Sequence, residues 1–455
     1  MVTAELDFVG DVLVEDGVVR ALGASLEADA ERVIDAAGRY VLPGCVDVHT
    51  HMDVAFQGVS ACDDFTSGTV AAAFGGTTTI VDFAEQPQGG GGARAGIDEW
   101  HAKLERAGPV VDVGFHVIVH DIGGGVEEEL LGLGETGVRT LKLHQAYPGL
   151  YMVSDEVLFR CFQIARRSGA LAMVHAENGD AIEVLIEQAR AAGHTEPVWH
   201  ARTRPPLTEV EAVGRAIALA ELAECPLYVV HVSCAGSVEA IAAARSRGLP
   251  VWGEVCVHHL FADEADLERP DFEGAKYVFT PPPRRAADRE RLWAGLADGT
   301  LSVVSTDHFS NFFADRRAIG GDDFSKIPNG TGGVEERLMM VHHHGVNAGR
   351  FSLGRMVQLL ATEPARLLGL HPKKGTIAVG GDADLVVFDP DREVTIAAER
   401  MHSRSDYTIY EGETVKGAPE TVLVRGEVVV EDGELKAEPG YGRYVPRAPF
   451  GEPLR

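Results

Sequence analysis

The sequence lacks the features of a membrane or secreted protein. No uninterrupted apolar run approaches the roughly 20 residues that a membrane-spanning helix needs, and the first ten residues carry acidic side chains in place of a basic, apolar-cored leader. The 455 residues include six cysteines, none of which forms a C-x-x-C pair. Such scattered cysteines are typical of reduced, buried thiols rather than of disulfides or a zinc knuckle. We therefore predict a cytoplasmic protein without a membrane partner.

Basic residues are also few. The 41 Lys and Arg residues are opposed by 69 Asp and Glu residues, which gives a net charge of −28. This balance argues against a nucleic-acid partner, whereas a small neutral substrate is compatible with it. The composition, with 45% hydrophobic and 24% charged residues, is that of an ordinary globular protein. The length predicts one large domain and one smaller domain.

From Gly44 onward, apolar stretches rich in Val, Ile and Leu alternate with helical stretches. This alternation predicts a parallel sheet in an α/β protein, and eight such units predict a closed (β/α)₈ barrel. The eight predicted strands span residues 44–49, 77–83, 112–118, 138–143, 171–176, 227–232, 250–255 and 302–307.

Both ends of the chain have β character of another kind, with short alternating strands and turns. We expect residues 1–43 and 375–436 to pair in a small β-sandwich beside a catalytic barrel at 44–374, because such pairing shields exposed strand edges. Residues 437–455 are rich in Pro and Gly. They predict an extended tail, either flexible or laid on a partner subunit.

Two histidines near the end of the first barrel strand are the first candidates for chemistry. His49 and His51 lie two residues apart, so their side chains point the same way on a strand. At the carboxyl end of a barrel strand, two neutral imidazoles can share one divalent cation. An H-x-H pair alone is a weak signal, and it becomes strong only with further ligands at other strand ends.

Four further candidates end later strands. Lys142 alternates with two leucines, so its amine should point toward the barrel mouth. A lysine there more often reaches solvent or pairs with an acid, but a desolvated amine can also react with carbon dioxide to give a carbamate that bridges two metals. His175, His231 and Asp307 end the fifth, sixth and eighth strands. Together with the first pair, these residues lie on the catalytic face of the barrel.

Longer motifs surround these residues and resemble those of a known family. The chain resembles the dihydropyrimidinases and D-hydantoinases of the cyclic amidohydrolase superfamily over nearly its whole length. The segments that carry the resemblance are DVHTHM at 47–52, DDFTSGTVAAAFGGTTTIVDFA at 63–84, LKLHQAYPG at 141–149, VHAENGD at 174–180, TDH at 306–308, KIPNG at 326–330 and SDYTIYEG at 405–412.

The resemblance implies a centre of two divalent metal ions. The ligands that it implies are His49, His51, Lys142 carboxylated at its Nζ atom, His175, His231 and Asp307. Imidazole and carboxylate ligands favour zinc, with manganese or cobalt as substitutes. Two such cations would supply a bridging hydroxide near neutral pH, and Asp307 would shuttle its proton to the leaving ring nitrogen.

The resemblance also implies substrate contacts and an assembly. Tyr147 matches the tyrosine that stabilises the oxyanion, while Thr280 and Asn329 match residues that contact the substrate ring, largely through backbone groups. The implied reaction opens a 5,6-dihydropyrimidine such as dihydrouracil, or a 5-substituted hydantoin, to the N-carbamoyl amino acid. The implied assembly is a homotetramer.

Some positions depart from the family pattern and bear on substrate preference. Thr280 replaces the usual Ser, Phe309 stands where relatives often carry Cys, and His144 with Gln145 stand where apolar residues are usual. Dihydroorotase relatives carry an Arg at the position of Asp53, which here would repel a substrate carboxylate.

Other family members remain as alternatives. Allantoinase relatives carry an acid, proline and glycine run just past the paired histidines, and this run is absent here. Non-enzymatic scaffolds of the collapsin-response type have lost metal ligands, whereas all six are present here.

Overall fold

The fold is described by a computed structural model that covers residues 1–452 and 454. Its strands, in chain order, are β1 Asp11–Glu15, β2 Val18–Gly23, β3 Tyr40–Pro43, β4 Cys45–Thr50, β5 Ala55–Phe56, β6 Val59–Ser60, β7 Thr77–Glu85, β8 Asp112–Ile118, β9 Thr140–His144, β10 Leu171–His175, β11 Leu227–Val229, β12 Val251–Cys256, β13 Val303–Ser305, β14 Leu385–Thr395, β15 Thr414–Val424, β16 Glu427–Glu431 and β17 Glu434–Leu435.

Eight parallel strands form the central sheet, in the order β4, β7, β8, β9, β10, β11, β12 and β13. Each matches one of the eight strands predicted from the sequence. A parallel bridge between Thr50 and His308 joins the first strand to the segment after the last, and the N–H of His51 donates to the carbonyl of His308 over 2.9 Å. The predicted α/β barrel is therefore confirmed.

The α-helices lie between the barrel strands along the chain or follow the last of them. They are α1 Phe65–Phe74, α2 Ala93–Ala107, α3 Val126–Gly132, α4 Asp155–Ser168, α5 Gly179–Ala191, α6 Trp199–Arg202, α7 Pro206–Ala223, α8 Ala235–Ser246, α9 Ala286–Asp298, α10 Phe313–Gly320, α11 Arg337–Val341, α12 Leu353–Val357 and α13 Glu363–Leu367. Local sequence sets their ends: Asp64 accepts from two backbone N–H groups at the start of α1, and Gly169 ends α4 with φ of 69°.

A second sheet joins the two ends of the chain. Its order is β17, β16, β15, β14 and β3, so that β3 from before the barrel pairs antiparallel with β14 from after it. The hairpin of β1 and β2 packs on this sheet through an apolar cluster that includes Val19, Ile377 and Leu385. The prediction of a small β domain from both chain ends is confirmed, while its exact boundaries stay a prediction.

A buried ion cluster holds the barrel and the second sheet together. The ammonium of Lys374 lies 2.6 Å from a carboxylate oxygen of Asp112, 2.9 Å from one of Asp382 and 2.8 Å from one of Asp384. Arg425, between β15 and β16, also pairs with Asp112. Because Asp112 begins β8, the cluster joins a barrel strand to residues that flank the second sheet.

The tail closes the amino-terminal end of its own barrel. The N–H of Val445 donates to the carbonyl of Val113 over 2.8 Å, and its side chain packs in a cluster with Leu171 and Leu370. The guanidinium of Arg447 is buried and donates to the Thr140 hydroxyl over 2.7 Å. These contacts lie within the chain, and a role of the tail in a subunit interface stays a prediction.

Among the helices of the described residues, none is long and apolar enough to cross a bilayer.

Candidate active site

One cavity at the carboxyl ends of the barrel strands gathers every site residue that the sequence predicted. Its empty volume is about 590 Å³, part of it open to solvent. The predicted residues that line it are His49, His51, Lys142, Tyr147, His175, His231, Thr280, Asp307 and Asn329. They come from strands and loops spread over most of the barrel, so their convergence is a property of the fold and not of one local motif.

Two imidazoles meet one carboxylate at the centre of this cavity. Nε2 of His49 and Nε2 of His51 each lie 3.1 Å from Oδ1 of Asp307. Burial opposes ionisation of Asp307, but the charges and hydrogen bonds of the two histidines hold its pKa well below the usual range. Burial lowers the pKa of His49, but Asp307 and Glu254 outweigh that effect and raise it to about 9.

The remaining imidazoles stand beside this group. The ring centroids of His175 and His231 are 4.4 Å apart, and those of His49 and His231 are 5.6 Å apart. Burial is the first cause that lowers the pKa of His175, and burial also holds the pKa of His231 well below its usual value. Neutral imidazole is the form that binds a divalent metal.

Lys142 is the unusual member of the set. Its side chain is almost fully buried, and its ammonium lies 5.1 Å from the centroid of the Phe83 ring. In the described part of the chain it forms no ion pair with a carboxylate. Burial lowers the pKa of Lys142 to about 8, because the charged form loses its hydration. Burying an ammonium without an ion-pair partner is costly, so the position of Lys142 calls for a chemical explanation.

The donor set fits a pair of divalent cations. Four imidazoles and one carboxylate converge, and three of their ligand atoms, from His49, His51 and Asp307, lie within 4.8 Å of one another. Such nitrogen and oxygen donors suit zinc, manganese or cobalt. The amine of Lys142 suits this set only after its charge has been removed.

Buried carboxylates orient the imidazoles from behind. Nδ1 of His49 donates to Oε1 of Glu254 over 2.7 Å, which leaves Nε2 facing the cavity. Nε2 of His175 donates to Oε2 of Glu177 over 2.9 Å, which leaves Nδ1 of His175 free to bind a ligand. Sequence reasoning missed both acids, although an acid within an apolar strand, as in VWGEVC around Glu254, is a signal that a buried partner exists.

A buried hydrogen-bond network lies next to the segment that contains Asp307. The carboxylate of Asp63 is fully buried and accepts hydrogen bonds from His308 and from Ser310, over 3.1 and 2.7 Å. It also accepts from Ser67, from Ser403 and from the N–H of Arg404. Asp63 thereby connects α1 with the segments that follow β13 and β14, and sequence reasoning did not identify this role.

Three site residues have left-handed backbone conformations that side chains rarely adopt. The φ angles are 65° for Tyr147, 37° for His231 and 49° for Asp307. Neighbouring hydrogen bonds maintain them; the carbonyl of Tyr147, for example, accepts from three successive N–H groups at 3.1 Å each. Strain of this kind costs about 1–3 kcal/mol per residue and is concentrated at functional sites.

Two of the predicted substrate contacts, Tyr147 and Asn329, present polar groups in the cavity. Burial raises the pKa of Tyr147 to about 12, so its hydroxyl stays a hydrogen-bond donor at any working pH. The N–H of Asn329 donates to the side chain of Gln57 over 2.8 Å, whereas the buried Nδ2 of Asn329 has no partner in the described structure. A substrate carbonyl can accept from such a donor.

The expectation that Asp53 faces the substrate is wrong. Its carboxylate accepts a hydrogen bond of 2.9 Å from Arg106 on α2, and Asp53 does not line the cavity. The left-handed backbone of Asp53, with φ of 51°, accompanies this outward position. Among the described residues that line the cavity none is an arginine, so a substrate carboxylate would still find no guanidinium there.

Comparison with known proteins agrees with this geometry. The model of the amidohydrolase family matches residues 40–429. The D-hydantoinase of Ralstonia pickettii is 47% identical over 450 residues, which cover 99% of this chain and 98% of the relative. The D-hydantoinase of Geobacillus stearothermophilus is 48% identical and covers 99% and 96%. The crystal structure of dihydropyrimidinase from Brevibacillus agri superposes with a TM-score of 0.97 at 46% identity, over 99% of this chain and 98% of that one.

Proposed function

The chain belongs to the amidohydrolase family, in its branch of D-hydantoinases and dihydropyrimidinases, and on this premise we propose that it hydrolyses a cyclic amide to the N-carbamoyl amino acid. The proposed substrates are a dihydropyrimidine such as dihydrouracil and a hydantoin substituted at ring carbon five. The observation that carries the proposal is the convergence in one cavity of all nine residues expected of such a site.

We propose two divalent cations as cofactors, with zinc preferred over manganese or cobalt. The residues that would hold them are His49, His51, Lys142, His175, His231 and Asp307. When bound, the cations would supply a nucleophile derived from water at neutral pH and would polarise the amide carbonyl. The imidazoles would bind through the nitrogens that the buried carboxylates leave free, which is the usual arrangement of orienting partners around metal sites.

Lys142 would join this set as a carbamate, with a carboxyl group on Nζ. Support comes from its burial, which outweighs the charges of Asp307 and Glu254 and lowers its pKa to about 8; this is costly for an ammonium and natural for a neutral amine open to carbon dioxide. The carbamate replaces a cation by an anion with two oxygen donors. An ammonium beside divalent cations would instead be repelled by them.

Asp307 would move the proton. Its Oδ1 faces the two imidazoles, which leaves Oδ2 to receive a proton from the attacking water and to return it to the leaving ring nitrogen. In its ionised form the carboxylate would be the proton acceptor.

Tyr147 and Asn329 would bind the substrate ring. The Tyr147 hydroxyl would donate to the oxygen on which negative charge develops, a contact that stabilises the transition state more than the ground state. The free Nδ2 of Asn329 would donate to a ring carbonyl, and Thr280 would complete this wall of the cavity.

A homotetramer in the cytoplasm completes the proposal. The six cysteines are free, and five of them are buried, as expected in a reducing compartment. The assembly is proposed from the family resemblance, and sedimentation of the full chain would measure it.

The function is tested with a substrate panel on metal-replete protein. We expect turnover of dihydrouracil, hydantoin or both, and poor turnover of dihydroorotate and allantoin. The Asp307→Asn variant, purified in parallel, controls for host hydantoinase and should be inactive. Absence of turnover on both favoured substrates, or efficient turnover of dihydroorotate, would overturn the proposal.

A further inference from the structure

Glu85 is an acid in the cavity for which the proposed mechanism has no use. It is the last residue of β7, and it lines the same cavity as the candidate ligands. It is absent from the ligand set and from the groups that would contact the substrate ring. A carboxyl group inside a substrate cavity, with most of its surface removed from water, requires either a partner or a ligand.

Tyr151 holds Glu85 in place. The Tyr151 hydroxyl donates to Oε1 of Glu85 over 2.9 Å, and the backbone N–H of Tyr151 donates to the carbonyl of Tyr147 over 3.1 Å. Gln88 also donates to the carbonyl of Leu150 over 2.9 Å. The loop after β7 and the loop after β9 are therefore joined at this wall, and the carboxyl position is fixed by residues that also line the cavity.

Lys103 on α2 is a cation whose charge acts on Glu85, but its contacts are with other groups. It donates to the carbonyl of Asp53 over 2.8 Å and pairs with Glu99 at 3.4 Å. Within the described residues, Glu85 itself forms no ion pair. Burial raises the pKa of Glu85 to about 7, against the opposing effects of Tyr151 and Lys103. A cationic ligand beside Glu85 would favour the ionised form of its carboxyl group and pair with it.

The surroundings of Glu85 are aromatic. The ring of Phe56 stacks on that of Tyr151 at 5.9 Å between centroids, and the ring of His144 stacks on it at 5.1 Å. Burial holds the pKa of His144 well below its usual value, so this ring is neutral. Electrostatic interactions are stronger in such a poorly hydrated place, and aromatic faces also attract cations.

We propose that Glu85 is a specificity residue that binds a cationic group on the substituent of the substrate ring. The preferred substrates would then be cyclic amides whose side chain ends in an ammonium or a similar cation. This inference rests on the proposed function and extends it, since it concerns the substituent and not the bond that is broken. Tyr151 positions the carboxylate, and Phe56 covers the aliphatic part of the side chain.

Matched pairs of hydantoins test the inference. One member of each pair carries an aminoalkyl side chain and the other an alkyl side chain of equal heavy-atom number, with linkers of two, three and four carbons. At one linker length or more, kcat/KM of wild type should favour the ammonium compound by about tenfold or more, as for hydrogen bonds to charged groups. In Glu85→Gln the ratio should fall to about one, and in Glu85→Leu the alkyl compound should be preferred.

Two controls distinguish failure of the proposed function from failure of the role proposed for Glu85. Glu99→Gln removes a nearby carboxylate that does not line the cavity, and it should keep the wild-type ratio. Unsubstituted hydantoin reports the reaction alone: no turnover of hydantoin or dihydrouracil by wild type refutes the proposed function. Turnover of hydantoin with equal ratios in wild type and Glu85→Gln at every linker length refutes the role of Glu85 alone.

Discussion

Nδ1 of His49 donates a hydrogen bond of 2.7 Å to Glu254, and both side chains are fully buried. Glu254 also accepts from the Tyr228 hydroxyl over 2.8 Å, so it cannot turn away without losing a second bond. The carboxylate thereby fixes both the ring orientation of His49 and the nitrogen that faces the cavity. An orienting group of this kind affects a metal site without touching the metal.

Replacement of Glu254 by Gln should weaken metal binding by about 10- to 100-fold. Competition of the apoprotein against a chromophoric chelator measures the affinity. Asp53→Asn, which alters a carboxylate outside the cavity, is the matched control and should bind metal as wild type does. Equal affinity of Glu254→Gln and wild type would show that His49 needs no carboxylate behind it.

Lys142→Ala should lose metal and activity together, because it removes the proposed carbamate. A short-chain carboxylate such as propionate should restore part of both by filling the vacated position. Lys142→Arg should be inactive, since a guanidinium stays charged and forms no stable carbamate. Metal content is measured by elemental analysis and turnover by product formation. Full activity of either variant without added acid would contradict carbamylation.

Tyr147→Phe should lower kcat by roughly 10²-fold or more while metal content stays at the wild-type value, because an oxyanion donor acts mainly in the transition state. Its hydroxyl pKa of about 12 means that this loss should be the same from pH 6 to pH 9. Steady-state kinetics with metal analysis of the same sample provide the test. Unchanged kcat would remove Tyr147 from the mechanism.

Asp63→Asn should destabilise the protein at neutral pH by about 2 kcal/mol or more, as expected when a buried network loses its charged acceptor. Burial opposes ionisation, but hydrogen bonds from His308 and Ser403 lower the pKa of Asp63 below its usual value of 3.8. Its contribution is therefore complete above about pH 4 and is lost as pH falls below that value. The difference between the denaturant midpoints of wild type and variant should be constant above about pH 4 and should narrow progressively as pH falls below it. The exposed Asp29→Asn variant should have the same denaturant midpoint as wild type at every pH.

Truncation after Glu438 should lower the melting temperature strongly, because it removes Val445 and Arg447 from the base of the barrel. Arg447→Ala in the full chain should cost about 2 kcal/mol or more through its lost buried hydrogen bonds. Thermal melts measure stability, and sedimentation measures assembly on the same samples. Wild-type stability of the truncated chain would show that these contacts contribute nothing.

The barrel and the residues at its mouth could be predicted from the sequence. Each barrel strand is marked by apolar, β-branched residues, and ligands such as His175 and Asp307 follow directly after them. Parallel strands bring such positions together in any closed barrel, so position along the strand already predicted proximity. The same rule predicted that Lys142 points toward the cavity.

Residues whose roles depend on distant partners could not be predicted in this way. Glu254 lies 205 positions from His49 along the chain, and Asp63 lies 340 positions from Ser403. The sequence around each acid does not indicate which distant residue it contacts. The tail is similar: its proline content predicted an extended course, but the carbonyls on which it lies belong to strand and loop residues far earlier in the chain. The expectation that Asp53 faces the substrate was wrong for a related reason, because chain position does not determine side-chain direction in a turn.

The pairing of β3 with β14 has a consequence for biosynthesis. Roughly 340 residues separate Pro43 from Leu385, and at translation rates of about 5–20 residues per second the ribosome needs about 20–70 s to supply the missing neighbour. During that interval the backbone groups of β3 that later bind β14 are an open strand edge. The nascent chain therefore exposes this strand edge for longer than a protein whose amino-terminal strands pair locally.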